Sequence, residues 1–450
     1  MGLNEMSSKL NGKTVAVIGA GVSGLAAAYR LQQSGAKVTV FEKSGHVGGR
    51  TRSLREEGFI IDIGALLMMP TYKNVIALGE ELGISPHLVT TRPSLAIVRD
   101  GKHHHIDFKH PLRSLLRLRL ISLRSALKLV KLLPLILRNW PRFNYENMGD
   151  MAPFDNETIH DFCMREFNEE IDTWLASPLI RAGSLTGTRE APFGDWLWQT
   201  VGFRYPRMMQ WDQGMDFFAL SLARGLDIRF NTSVSNVRNE GGKATLEVGD
   251  ANGGTRDTFD ACIIAVPAPV VCAIAPSVTP QQKEFFGNLR PVPMISLHLG
   301  LRAKPESKDA VILIPEKESA DLLLILLDHN KVAGRAPAGK GIVTIWSTKE
   351  WTAAHVDASD EQVVTELCRL AEPFVGRLDG LIEISHVERS DFVVAQTYPG
   401  FFTRLRDYMA TRDLDQPLFF SGDYSAEGIE GATTSGLNAW RHVERYLTRS

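Results

Sequence analysis

Cysteine is scarce in this chain of 450 residues, and Cys163, Cys262, Cys272 and Cys368 are scattered with no CxxC pair and no Cys/His ligand spacing. That pattern argues against a thiolate metal site or a disulfide scaffold, so reduced structural thiols and no metal are expected. Net charge is lacking too. The formal balance is -2 with 23% charged residues, which gives no electrostatic footprint for nucleic acid. No uninterrupted apolar run approaches the length of a membrane span, and the polar first residues lack the apolar stretch of a secretory leader. A cytoplasmic protein is the expectation. One absence is local: no acidic residue occurs from Phe108 to Tyr145, where Lys109, Arg113, Arg117, Arg119, Arg124, Lys128, Lys131, Arg138 and Arg142 are interleaved with leucines. On a helix, Arg113, Arg117, Arg124, Lys128 and Lys131 share one narrow face, and Pro134 should break or kink it. Such a surface across 109–142 either rests on anionic lipid at the cytoplasmic side or is a solvated basic face.

What is present is an ordinary globular composition, 44% hydrophobic, in a chain long enough for two substantial domains. Near the N-terminus the apolar run Val15-Ala16-Val17-Ile18 suits a strand buried on both faces of a parallel sheet. It ends in Gly19-Ala20-Gly21-Val22-Ser23-Gly24, an Ala-rich helical segment follows, and a second strand, Lys37 to Phe41, finishes at Glu42. This is the pattern of a dinucleotide-binding βαβ unit. Gly19 makes the tight turn, Gly21 admits a pyrophosphate to the backbone, and Gly24 lets helix and strand pack closely. The helix N-terminus offers N–H groups and partial positive charge to phosphates, and Glu42 is placed to accept hydrogen bonds from an adenosine ribose. Gly48-Gly49-Arg50 then puts a guanidinium just past a tight turn, within reach of the pyrophosphate.

With Glu42 followed by Gly48-Gly49-Arg50, the chain resembles the FAD family that holds flavin amine oxidases, protoporphyrinogen oxidases and phytoene-desaturase-like enzymes. The resemblance extends to the far end, where Leu418-Phe-Phe-Ser-Gly422-Asp423-Tyr-Ser425 leads through a Gly-rich run into a closing helix, Leu437 to Leu447. It implies FAD as cofactor. It implies that Gly64 and Ala65 pass beside the flavin ring, that Val234 meets the adenine, and that Asp423 binds ribityl or phosphate-side hydroxyls. A helix starting near Gly431 would aim its N–H groups at the flavin, with Ile429 among the cofactor contacts. The fold implied is α/β: a Rossmann-type FAD-binding domain assembled from 1–108, 210–268 and 390–450, plus an α+β substrate-binding domain from 109–209 and 269–389. Met294 to Leu301, Val311 to Ile314, Leu322 to Leu327 and Gly341 to Ser347 are strand-like runs for a mixed or antiparallel sheet in the second domain.

Further features are more ambiguous. The histidines His103-His104-His105, on an expected hairpin around Asp100-Gly101, alternate faces and cannot all ligate one metal. Asp155 to Leu185 reads as helical, with Asp155 or Asn156 as N-cap. Trp196, Trp198 and Trp211, with Phe193, Phe203 and Tyr205, would line an apolar pocket or simply pack a core.

Flavin amine oxidases commonly place a lysine facing the flavin N5. The corresponding residue here is Ser296, their covalent cysteine has no counterpart in Asp391-Phe392-Val393-Val394, and of their aromatic cage only Tyr398 is matched, against Gly428. Ala395-Gln-Thr-Tyr398-Pro-Gly400…Arg404 instead resembles the protoporphyrinogen-oxidase pattern. The implied function is an FAD-dependent oxidase or dehydrogenase that takes hydride from a bulky hydrophobic tetrapyrrole, terpenoid, carotenoid or steroid-like molecule. Oxygen or a quinone would accept the electrons, and Tyr398, Ser296 and His298 would face the substrate. An amine oxidase with an altered site, an FAD-dependent isomerase without net redox turnover, and an NAD-binding module are the competing readings.

Overall fold

The computed structural model describes residues 9–105, 120–205, 207–250, 253–276 and 278–449. Arg113, Arg117 and most of the leucine-rich basic stretch before Leu120 lie outside these residues.

A five-stranded parallel sheet runs in the order Leu418–Phe420, Ala261–Ile264, Thr14–Ile18, Lys37–Phe41, Asp227–Arg229. Val15, Val17, Ile263 and Val40 are fully buried within it because helices cover both faces. The Val22–Gln33 helix follows the first strand, and the long C-terminal helix Gly428–Thr448 packs along it. Expectation placed the start of that last helix later. Its glycines belong to the helix itself, because a Cβ on Gly431 would overlap the Ala426 carbonyl and one on Gly436 the Ser23 carbonyl. The parallel strands all end toward one crevice, at Gly19, Glu42, Ala265 and Ser421, which is where an open α/β sheet binds its ligand.

A second, seven-stranded mixed sheet has the order Ile382–Ala395, Pro291–Leu301, Gly341–Ser347, Leu322–Leu326, Val311–Leu313, Leu95–Arg99, Lys102–His105. Its pairs are antiparallel except for Val311–Leu313 with Leu95–Arg99. Val98, Leu297, Leu299, Ile325 and Ile345 form its core with Leu367 and Ala371 of the Asp360–Val375 helix. The hairpin 95–105 joins this sheet, although it falls inside the 1–108 segment expected for the first domain. The Ile382–Ala395 strand likewise crosses the boundary expected at 390. Strand pairing to buried apolar neighbours outranks chain proximity here. On the edge strand, His103 Nδ1 and His105 Nε2 both meet Asp309, at 2.6 and 2.7 Å.

The helical half between them is more broken than periodicity suggests. Asp155 is not a cap: its carboxylate accepts from Thr403 N–H at 2.8 Å. Thr158 caps Ile159–Glu166 instead, accepting from Asp161 N–H at 3.1 Å, and Asn168 starts a new turn at Glu169–Ile171. Trp196, Trp198, Trp211 and Phe193 are buried core residues, whereas Tyr205 is exposed.

Candidate active site

At the first crossover, the Val22–Gln33 helix starts at Gly21 with no side-chain cap and no acid in its first turn. A Cβ on Gly21 would meet nothing within 4 Å, so the backbone there borders open space. Gly19, at φ +100°, would bring a Cβ to 2.5 Å from the Ala265 carbonyl oxygen, and one on Gly24 would overlap the Gly19 carbonyl. Unsatisfied N–H groups over a cleared space make a fitting cradle for a diphosphate. Glu42 closes the far side of this turn. Its carboxylate accepts from Ala20 N–H at 2.8 Å, and from Ser44 N–H and the Ser44 hydroxyl at 2.9 and 2.7 Å. The segment bearing Val234 lies over it, with Thr232 N–H donating to the Glu42 carbonyl at 2.9 Å and Val234 packed in one cluster with Ile18 and Phe41.

The two distant motifs meet directly. Arg50 makes a bidentate pair with Asp423, at 2.8 and 2.9 Å, and also donates to the Val393 carbonyl at 2.7 Å. Gly48 and Gly49 take φ of +101° and +54°, so the turn needs glycine at both positions. The Arg50 guanidinium was expected to aim at a pyrophosphate and Asp423 at ribityl hydroxyls. The structure pairs them with each other and so stitches residues 373 apart in sequence. Ala65 N–H donates to the Arg50 carbonyl at 2.8 Å, and Gly64 packs so closely there that a Cβ would overlap that carbonyl. Behind this segment, buried Asp62 accepts from Ser53 Oγ, Gln210 Nε2 and Met215 N–H, at 2.6, 3.0 and 2.9 Å, and pairs with buried Arg335. Lys331, also buried, pairs with Asp328 at 2.5 Å and donates to the Leu66 carbonyl at 2.9 Å.

The expected substrate-facing residues divide. Ser296 Oγ and His298 Nε2 are 2.9 Å apart, and His298 Nδ1 lies 3.2 Å from Thr344 Oγ1, all inside the sheet. Burial pushes His298 down to about 3, so its ring stays neutral at physiological pH. Tyr398 shares no hydrogen bond with either. Its hydroxyl donates to the Asn288 carbonyl at 3.0 Å, and its ring lies under Arg290 and Arg404.

Beside the start of the C-terminal helix, Tyr72, Tyr145 and Glu427 were not foreseen, while Trp198 takes the core position that was one of its two expected places. Tyr72, Tyr145 and Trp198 stand edge to face, with centroids 5.4 and 5.0 Å apart. Glu427 occupies the N-cap position of the C-terminal helix, beside Gly428 and buried Ile429, without a side-chain capping bond. Tyr72, Tyr145 and Glu427 are each partly exposed. Burial nevertheless raises all three, Glu427 well above the usual carboxylate range and Tyr145 to about 12. A lone acid before a helix reads as an ordinary cap in sequence, and no local signal marks it otherwise.

The family model described as flavin containing amine oxidoreductase matches residues 22–443. The chain belongs to this family. FAD is accordingly its cofactor, and it is an FAD-dependent oxidoreductase. It is 34% identical over 173 residues to protoporphyrinogen oxidase 2, chloroplastic/mitochondrial, of Arabidopsis thaliana, a match covering 38% of this chain and 32% of that protein. It is 53% identical over 66 residues to 4,4'-diapophytoene desaturase of Staphylococcus aureus strain MRSA252, covering 14% and 13% of the two chains. These matches span about a third or less of the curated relatives' lengths. In fold, cyclohexylamine oxidase from Brevibacterium oxydans IH-35A is similar with a TM-score of 0.75 at 16% identity, over 97% of this chain and 99% of that one.

Proposed function

We propose that this flavoprotein removes hydride from a bulky hydrophobic substrate, in the class of tetrapyrroles, terpenoids or steroid-like compounds. The aromatic cluster of Tyr72, Tyr145 and Trp198, packed edge to face next to the residues of the second cofactor motif, supports this most. FAD, when bound, supplies the hydride acceptor. In this reading Gly19, Gly21 and Gly24 clear and shape the diphosphate cradle, Glu42 holds the ribose, and Val234 covers the adenine. Gly49, Gly64, Ala65, Gly422 and Ile429 allow close backbone approach to the isoalloxazine, while the Arg50–Asp423 pair fixes the two motifs at the spacing the cofactor needs. Ser296, His298 and Tyr398 support the wall of the site through neighbouring groups.

The short alignments to a protoporphyrinogen oxidase and a diapophytoene desaturase agree with an apolar substrate. An amine oxidase with an altered site is the second reading, because a carboxyl among aromatic rings suits an ammonium group. It ranks lower because the lysine and the second cage aromatic of amine oxidases are matched here by Ser296 and Gly428. Anaerobic titration of the yellow protein with a panel of tetrapyrrole, terpenoid, steroid and amine compounds tests the choice. Bleaching by one of the first three is expected. Bleaching by amines, with peroxide released in air, would replace this reading with the second, and conversion without net oxidation would replace both with an isomerase.

Contact with a lipid surface belongs to the same proposal. The segment after Leu120 turns an apolar stripe to solvent: Leu123, Leu127, Val130, Leu133, Leu137 and Trp140 are all exposed. Half-buried Lys128 donates to the Phe167 carbonyl at 2.5 Å, whereas Lys131 stays exposed and reaches the Glu166 carbonyl at 3.3 Å, at the end of the Ile159–Glu166 helix. The leucines, more than the basic face, are therefore what this surface offers to a bilayer, with Arg124 and Arg138 exposed beside them.

A further inference from the structure

Two acids far apart in sequence lie along one polar network beside the start of the C-terminal helix. Glu427 Oε2 accepts from Gln199 Nε2 at 2.7 Å, and Glu427 Oε1 lies 3.4 Å from the Ser184 hydroxyl. Gln199 also reaches Ser184 Oγ at 3.3 Å, and it passes through a gap that glycine leaves open: a Cβ on Gly183 would come within 2.7 Å of the Gln199 amide carbon. Asp195 lies one helical turn before Gln199 with no solvent exposure. One of its oxygens accepts from the Thr397 hydroxyl at 2.5 Å, while Oδ1 has no partner. The indole N–H of buried Trp198 is likewise without one. Unpartnered polar atoms in so enclosed a place point to a group that is brought in from outside.

We propose that Asp195 and Glu427 form a one-proton acid pair, and that Glu427 accepts the proton a substrate loses when its hydride leaves. The proposal rests on the redox reading above and adds the base that such a reaction needs. Burial first, and then the repulsion of Asp195 and Asp423, lifts Glu427, and burial lifts Asp195. Two carboxylates this enclosed cannot both ionise freely, so near neutral pH one proton and one negative charge are held between them. The other charged or titratable groups facing Glu427 are Asp423, neutralised by Arg50, and Tyr72 and Tyr145 with raised hydroxyls. Glu430, one helical turn on, is spent on Asn74 and Val75 N–H at 2.8 and 3.0 Å.

The step balances. With FAD bound to supply the hydride acceptor, a substrate C–H bond would break with its electron pair leaving as hydride, the proton on the adjoining atom would pass to the ionised carboxylate, and the substrate would gain a double bond. The pair then holds two protons and returns one to solvent as oxygen or a quinone removes the electrons. Because the accepting form is the singly ionised pair, reduction should slow as pH falls through the pair's first ionisation, which lies above the usual carboxylate range.

The test uses the FAD-loaded protein. An infrared pH titration, which requires no substrate, should show a protonated-carboxyl band persisting to neutral pH, and Glu427→Gln should remove it. Anaerobic flavin reduction by whichever panel compound bleaches the wild type should fall about 100-fold in Glu427→Gln, the scale of a lost general base, with flavin retention unchanged. Asp195→Asn should move the acid limb to lower pH, because Glu427 loses a like charge; a purely structural role would not move that limb. No carboxyl band at neutral pH, or the same rate and pH profile in Glu427→Gln, overturns the proposal. A normal band with no panel compound bleaching the flavin sinks the redox reading and the acceptor role with it, leaving only the shared proton.

Discussion

Glu42 is oriented by three donors, Ala20 N–H and the N–H and hydroxyl of Ser44, so its carboxylate is in place before any ribose arrives. Removing it loses a charge-assisted bond to the ligand and leaves Ala20 N–H without its acceptor. Glu42→Ala should weaken FAD binding by about 1–3 kcal/mol, roughly 5- to 150-fold; flavin fluorescence on dilution measures this, and unchanged retention would refute the role. Asp62 is the sharper case for stability. It and Arg335 are each only 1% exposed, and Arg335 Nε and Nη1 have no partner of their own. Asp62→Ala should cost about 3–5 kcal/mol in urea unfolding, because it strands a buried guanidinium. Adding Arg335→Met should restore much of that loss by removing the stranded charge. Glu42 was legible in sequence because a motif spacing fixes it. Asp62 was not, since its partner comes from a loop more than two hundred residues away and no period links them.

The C-terminal helix shows how an element can be half legible. Its glycines look like a loop to a propensity argument, yet Gly436 is where the helix backbone meets that of Val22–Gln33, and Ser23 Oγ bonds Ser421 Oγ nearby. Gly436→Ala would put a methyl into the Ser23 carbonyl and within 3.2 Å of Ala26 Cβ. It should cost about 1–3 kcal/mol by overpacking and loosen FAD, read as a lower melting temperature of both apo and loaded protein; an unchanged melting temperature would show that the crossing can give. The parallel strands were readable because burial on both faces imposes an apolar run. The helices of 155–185 were not, because Asp155 is captured by Thr403 and the cap passes to Thr158. A local pattern cannot report a competitor that arrives from residue 403.

At the scale of the whole molecule, the cofactor crevice is closed by contacts that join the chain's ends, such as Arg50 with Asp423, and the acid pair is held by side chains 228 residues apart. No helix of the described residues is long and apolar enough to cross a membrane, and the lipid contact proposed above is one of surface. The candidate is the stripe led by Leu127 and Leu137, 64% and 63% exposed, on a segment with no acidic residue. Apolar insertion and basic attraction make separable contributions there. Leu127→Asp with Leu137→Asp should abolish flotation with phosphatidylglycerol vesicles at any salt, while Arg124→Glu with Arg138→Glu should weaken it by about 1 kcal/mol per removed cation, and only at low salt. Neither pair touches the cofactor motifs, so the flavin spectrum should not change. If wild type fails to float with anionic vesicles, the leucines serve another purpose. If it floats equally with zwitterionic ones, insertion of the leucines alone holds it, and the basic residues around them are a solvated face.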